Sequence, residues 1–382
     1  MNARRAMSAP SRPVLQPRVR LYESVRTAHL ERARELQPAS ILYRVKRYDF
    51  EEAIAKDQQL VRVGLLSGAL LILRSPVETL EINEPLMLSS LPATSLALLA
   101  LELRRLAGRP RTTVVTYAIG NADPFAVQPH RARSRVRRRL ERVIARAVFK
   151  RVDRAAFGTS AARETYENVL GEVDLKSSSL VIPALPSPAP GAAESDRIDG
   201  RVAFVGAFSE RKGIRVLLEA WPHVVRLRPG ASLTIIGKGV LEDNVLAVAR
   251  LFPGITVEID PDRQRISQAL NEARVLVLPS QPSPTWREQV GLPIVEGLSH
   301  GLVVATTGET GLADWLSANR HAVVSDPKSS PELAVAIVQL LDADRSAADV
   351  LSSLPARDGR LAADDWMFSS TPTITDLVRV YT

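Results

Sequence analysis

The chain has 382 residues, 45 % hydrophobic and 24 % charged, with a net charge of +8 and no cysteine. That length suits about two domains, and the missing cysteine excludes disulfides, thiolate metal sites and a cysteine nucleophile. The five histidines show no metal-ligand spacing, so a tightly bound metal is not expected, and the longest apolar runs, Val63–Leu73 and Leu96–Leu101, are too short to span a bilayer.

Residues 1–17 are rich in Arg, Ser and Pro, lack an apolar segment, and read as a disordered leader. From residue 18 to 186 strand-like and helix-like segments alternate. Strands are expected at Val19–Tyr22, Ser40–Val45, Val77–Ile82, Thr112–Ile119, Ala155–Thr159 and Ser179–Ile182, with helices at Ser24–Leu36, Ser90–Ala107 and Ala161–Leu170. Such alternation predicts a parallel sheet wrapped by helices. The segment Arg131–Arg154 reads as one further helix. It carries eleven Lys and Arg against only Glu141 and Asp153, a local excess of nine in a chain of net charge +8, so the basicity is local. Val136, Leu140, Val143, Ala147 and Val148 fall at helical spacing and predict one apolar stripe. Three readings stand: a packed helix with a solvated basic face, a patch that attracts an anionic membrane, and nucleic-acid binding. The last is disfavoured, because no aromatics are interleaved and no nucleic-acid motif occurs.

Residues 187–200 form a Pro/Ala/Gly/Ser-rich linker. A second α/β domain is expected over 201–363, with strands at Val202–Val205, Ser232–Ile236, Ile255–Ile259, Val275–Leu278, Leu302–Thr306 and Ala322–Ser325. Two loops of this half carry the chemistry. After its first strand, Gly206–Gly213 reads GAFSERKG and opens a helix; Gly206 permits a tight turn near phosphate, and Lys212 supplies charge. After Leu278 comes PSQPSPTWREQVGLPIVEGLSHG, with Glu288 in the loop and Glu296 about one turn inside a helix that starts near Pro293. Between the acids lie the free N–H groups of a helix N-terminus, around Val290, Gly291 and Leu292, which form an anion site. A carboxylate, an anion cradle and a second carboxylate suit a hydroxylated ring, a phosphate and another hydroxylated ring. That is the layout of a nucleotide sugar.

Pro279, Ser280, Glu288, Gly291, Glu296, Gly297 and Gly301 closely resemble the donor-site signature of retaining GT-B glycosyltransferases of family 4. The resemblance implies two Rossmann-like domains facing a central cleft, with the acceptor bound by the first and the donor by the second. It also implies a terminal segment, 364–382, that crosses back onto the first domain. In that family the acid at the Glu288 position contacts the donor sugar and the acid at the Glu296 position the ribose, and an Arg and a Lys grip the diphosphate. Lys212 and Gly213 match; the Arg position holds Ala207, so either Arg211 supplies that charge from another direction or the clamp is weaker. Lys238, in the turn Gly237–Gly239, is a further phosphate candidate beside a purely structural role. Asp314 stands where the family has a later acid or simply begins a helix. Asn121 and Asp123, after the strand TTVVTYAI, either reach the cleft from the acceptor side or cap a turn. The expected partners are a nucleotide-sugar donor and a glycan, lipid-linked or small-molecule acceptor, with no cofactor and no nucleic acid. A cytoplasmic location, including the inner membrane face, fits this reading. The alternatives are a non-catalytic GT-B binding protein and a nucleotide-sugar epimerase of the same fold.

Overall fold

The structure, a computed structural model, describes residues 14–47, 50–127, 131–171, 178–190, 197–283 and 286–369. In the first unit, β1 (Arg18–Val25), α1 (Thr27–Ala33), β2 (Ser40–Lys46), α2 (Glu52–Ala55), β3 (Leu60–Arg62), α3 (Leu65–Arg74) and β4 (Thr79–Ile82) come first. They are followed by α4 (Leu91–Leu106), β5 (Thr113–Ala118), α5 (Ala132–Phe149), β6 (Arg154–Phe157), α6 (Ser160–Leu170) and β7 (Ser178–Val181). The second unit opens with β8 (Arg201–Val205), α7 (Ile214–Leu227), β9 (Ser232–Gly237), α8 (Glu242–Leu251), β10 (Ile255–Ile259), α9 (Arg263–Glu272) and β11 (Val275–Leu278). It closes with α10 (Leu292–Ser299), β12 (Val303–Thr307), α11 (Ala313–Ala318), β13 (Ala322–Val324), α12 (Ser330–Asp342) and α13 (Ala347–Ser352), after which α14 (Gly359–Phe368) ends the described chain.

All strands pair in parallel, in the orders β3-β2-β1-β4-β5-β6-β7 and β10-β9-β8-β11-β12-β13. Buried parallel strands need apolar side chains on both faces, and β11, with Val275, Leu276, Val277 and Leu278 all fully buried, shows the pattern at its strictest. In each sheet the order reverses once, between β1 and β4 and between β8 and β11. Such reversal points open the crevice at the carboxyl ends of the strands where α/β proteins bind ligands. The α/β fold with two parallel sheets agrees with the expectation.

Several expected elements differ in extent. Pairing of β1 with β2 runs on to Val25↔Lys46, so the helix expected from Ser24 starts only at Thr27. The apolar run from Val63 is largely α3, and β3 adds an edge strand to the sheet. The leader does not run to residue 17: Leu15 is buried in the first core, and Pro17 O accepts from Glu78 N at 2.7 Å. Residues 1–13 lie outside the described ones.

The basic helix ends at Phe149, because Asp153 turns back to accept from Val114 N at 2.8 Å and Arg154 already belongs to β6. Its apolar stripe is also divided. Ala145, Val148 and Phe149 enter the core, whereas Val136, Leu140 and Val143 are 65 %, 57 % and 64 % exposed.

The terminal crossing begins at Gly359, five residues earlier than expected, and lays α14 on β5 and β6. Trp366, Met367 and Phe368 bury there with Val115, Ala156 and Ile182, while residues 370–382 lie outside the described ones. The two passages between units touch, Gly359 N donating to Leu185 O at 2.9 Å.

Four buried charges fix the crossing helix. Arg20 Nη1 pairs with Glu81 and, at 2.6 Å, with Asp364; Arg20 Nη2 donates to Asp364 Oδ2 at 3.1 Å. Arg360 Nη2 reaches Glu81 Oε1 at 2.6 Å. Burial disfavours the charge on Arg20, yet the two carboxylates beside it raise its pKa above the usual guanidinium range.

Candidate active site at the facing strand ends

The two loops at the β8/β11 reversal are locked together by glycine. Gly213 has φ +72°, a left-handed backbone that costs a side chain energy, and a Cβ there would lie 1.8 Å from Pro279 O. Only glycine lets the end of the first loop lie against the start of the second. That closeness brings Lys212 Nζ into an ion pair with Glu288 Oε2, their side chains 13 % and 10 % exposed. Ser280 Oγ donates to the same carboxylate oxygen at 3.3 Å, and Gly311 N donates to the Glu288 carbonyl at 3.1 Å.

The remaining predicted donor residues group around this pair with different roles. Gly206, at φ +156°, lines the back of the loop, with its carbonyl 1.9 Å from where a Cβ on Gly237 would stand. Arg211 leaves the pair and stacks over the Trp286 ring at 4.7 Å, with Lys212 Nζ at 5.8 Å from the same ring. Gly291, at φ +82°, is the N-cap of α10, and Pro293 follows as its second residue. Val290 points into the core while its carbonyl accepts from Thr310 Oγ1 at 2.9 Å, and Leu292 is exposed. Glu296 sits on an exposed position of α10. Partial removal of its carboxylate from water raises its pKa, opposed by the Arg263 guanidinium. The structure thus joins Glu288 to Lys212, and Glu296 takes no part in that ion pair. Lys238 pairs with Asp260 at 2.5 Å, and Asp314 lies in the first turn of α11.

Residues from the first unit complete the cleft. Asn121 Nδ2 donates to the Glu288 carbonyl at 3.0 Å, a contact between units across 167 positions of sequence. The same side chain is 7 % exposed, and its Oδ1 is buried without a partner. Asp123 instead caps a turn, accepting from Phe125 N at 2.8 Å. Further contacts between units come from Arg263 to Glu31 at 3.4 Å and from Thr159 against Gly311.

Two residues were not singled out from the sequence. Trp286 carries the arginine stack, and its position in TWREQ gives no periodic signal. Glu84 follows β4 at the other reversal point and accepts from Gly120 N at 2.8 Å. Burial pushes its pKa up to about 7, against the lowering effect of the Gly120 and Ile119 N–H groups. An acid just past a buried strand at its carboxyl end was the available signal.

Residues 199–343 match the family described as Glycosyl transferases group 1. The chain is similar to glycogen synthase of Mycobacterium tuberculosis, 29 % identical over 174 residues, which is 44 % of this chain and 40 % of the relative. The match therefore spans less than half the length of that curated relative. Among solved structures, Anabaena Alr3699/HepE in complex with UDP superposes with a TM-score of 0.62 at 13 % identity, over 95 % of this chain and 98 % of that one. Sucrose-phosphate synthase from Thermosynechococcus elongatus gives 0.58 at 14 %, over 96 % and 98 %. A lipopolysaccharide outer core galactosyltransferase, WaaB, gives 0.56 at 12 %, over 85 % and 89 %. At these identities the structural likeness establishes the fold, which is GT-B.

Proposed function

We propose that this chain is a retaining glycosyltransferase of the family 4 type, moving a sugar from a UDP- or GDP-sugar to a hydroxyl acceptor. The observation that carries this reading is the Lys212–Glu288 pair at the reversal point of the second sheet, tied to the opposite unit through Asn121. Support comes from the group 1 match over the same residues and from the UDP held by the Anabaena protein.

In this reading the diphosphate lies at the start of α10. Lys212 and the N–H groups beside Gly291 meet the charge that grows on it as the bond to the sugar breaks. Arg211, stacked on Trp286, keeps its guanidinium beside the same loop, which answers the alanine at position 207. Glu288 orients the sugar once Lys212 turns to the phosphate, and Glu296 takes the ribose hydroxyls. Transfer proceeds on one face of the sugar with no covalent nucleophile from the protein. The positive charge assigned to the leaving group is that of Lys212, Arg211 and the start of α10.

In this reading the acceptor belongs to glycan, glycolipid or polysaccharide synthesis, and the exposed arginines and valines of α5 support a position at an anionic membrane surface on the cytoplasmic side. No helix among the described residues is long and apolar enough to cross a membrane.

The test is nucleotide release across a panel of UDP- and GDP-sugars, with Lys212→Ala and Glu296→Ala. Each variant should lose at least about 100-fold in turnover while remaining folded by circular dichroism. Unchanged turnover in both would sink the reading. A wild-type chain with no nucleotide affinity by calorimetry would favour a non-catalytic binding protein, and acceptor-free conversion of the donor sugar would indicate epimerisation.

A further inference from the structure

The first sheet has its own reversal point, and what stands there is two hydrogen-bond acceptors that no cation among the described residues pairs with. Asn83 Oδ1 ties the ends of β1 and β4 together by accepting from Glu23 N at 2.7 Å. The next residue, Glu84, is oriented by the end of β5, its Oε2 accepting from Gly120 N at 2.8 Å. A Cβ placed on Gly120 would meet Glu84 Oε2 at 2.8 Å and Gln289 Nε2, from the opposite unit, at 3.9 Å. The carboxyl group therefore lies where the two units meet. One residue further along the same loop is Asn121, with its Oδ1 buried and unpartnered. Its orientation is not ambiguous, because the Nδ2 is already engaged with the Glu288 carbonyl.

Among the described residues no Lys, Arg or His forms an ion pair with Glu84. The titratable groups that face it are Tyr117 of β5 and Tyr166 of α6, and both are kept neutral: burial pushes Tyr117 up to about 12 and Tyr166 well above the usual phenol range. A site with acceptors and no cation repels phosphate and carboxylate and is matched by groups that donate, of which an alcohol is the simplest.

We propose that Glu84 and Asn121 form a subsite for the attacking hydroxyl of an uncharged, polyhydroxylated acceptor, with Glu84 receiving its proton. The assignment rests on the glycosyltransferase reading and names the acceptor class for it. In the transfer, the acceptor oxygen forms a bond to the anomeric carbon as the bond from that carbon to the diphosphate oxygen breaks. The bonding pair leaves with the diphosphate, and the hydroxyl proton passes to the Glu84 carboxylate and then to water when product departs. A carboxylate that titrates near neutral pH is well matched to this task.

The experiment uses the full chain, its best donor from the UDP- and GDP-sugar panel, and glucose and maltose as neutral acceptors against glucuronate as a charged one. Glu84→Gln, which keeps shape and removes the base, should lower transfer at least tenfold at pH 8 while the dissociation constant for the nucleotide stays within twofold. The wild-type rate should fall as pH drops through about 7 with a one-proton limb, which the variant should lack. Because an acid with a raised folded pKa loses stability as pH climbs toward that pKa, Glu84→Gln should keep or raise the melting temperature at pH 8. Transfer by Glu84→Gln at the wild-type rate, or preference for glucuronate over the neutral sugars, overturns the assignment. Nucleotide binding with no release in the presence of the neutral sugars counts against the acceptor class. A wild-type chain that binds no nucleotide removes the glycosyltransferase reading itself, and this assignment with it.

Discussion

Replacing Asp364 by alanine should weaken the whole molecule, and the size of the loss follows from the charges it leaves behind. Arg20, Glu81, Asp364 and Arg360 sum to zero, and the first three are 1 %, 3 % and 0 % exposed. Without Asp364 the cluster carries one uncompensated positive charge. Arg20 loses two hydrogen bonds and Gln37 N loses its acceptor at 2.8 Å. Breaking a buried pair in this way costs about 3–5 kcal/mol. With an unfolding entropy of about 2.1 cal/mol/K per residue, a chain of 382 residues should melt roughly 4–6 °C lower. Differential scanning calorimetry at pH 7 measures this directly. The double variant Arg360→Met with Asp364→Leu restores neutrality with apolar atoms of similar bulk, and should lose less than Asp364→Ala alone. A loss below about 1 kcal/mol for the single variant, or a double variant that is worse than the single, would refute the reasoning.

Gly213→Ala should cripple donor turnover more than stability. The second loop must retreat from a Cβ set 1.8 Å from Pro279 O, which pulls Lys212 from Glu288; nucleotide affinity by calorimetry should fall at least tenfold, and wild-type affinity would show that the loops are not locked. His321 accepts from Val304 N at 3.0 Å, and burial, aided by the Arg345 charge, pushes its pKa down to about 3. Its folded pKa lies below the unfolded one, so its contribution is present above about pH 6.5 and drains as pH falls toward 3. Urea midpoints should therefore decline with a one-proton slope over that window, and His321→Gln should flatten the decline. The α5 surface should sediment the protein with vesicles of anionic lipid at low salt and release it at high salt. Leu140→Asp with Val143→Asp should weaken that binding, and failure of the wild-type chain to sediment at low salt removes the membrane role.

Where a residue's surroundings are its chain neighbours, the sequence was readable. The buried strands β8, β9 and β11 show as apolar runs, and the glycine and proline around α10 mark where that helix begins. The two loops that meet at the β8/β11 reversal belong to this class, since Lys212 and Glu288 each follow a strand end that composition reveals. Extents depended on partners: β1 outlasts its own apolar run because β2 pairs with it as far as Lys46. The stripe on α5 looked uniform because helical spacing cannot tell which apolar residues have something to pack against. Asn121 gained its role from a contact with residue 288, and Arg20 meets an acid 344 positions away. Such juxtapositions exist only once both sheets have formed.

The placement of α14 also sets the order in which the molecule can be finished during synthesis. Arg20 and Glu81 are made early, but the helix that neutralises and covers them arrives about 180 residues after β7. At roughly 5–20 residues per second, the first sheet waits on the order of 10–40 s for its last layer. The second unit has its own continuous core, so it can complete itself within that interval while the unit made first cannot. Birth order and completion order are therefore opposite, and a released chain truncated before residue 359 would display a folded second half beside an uncovered β5–β6 face.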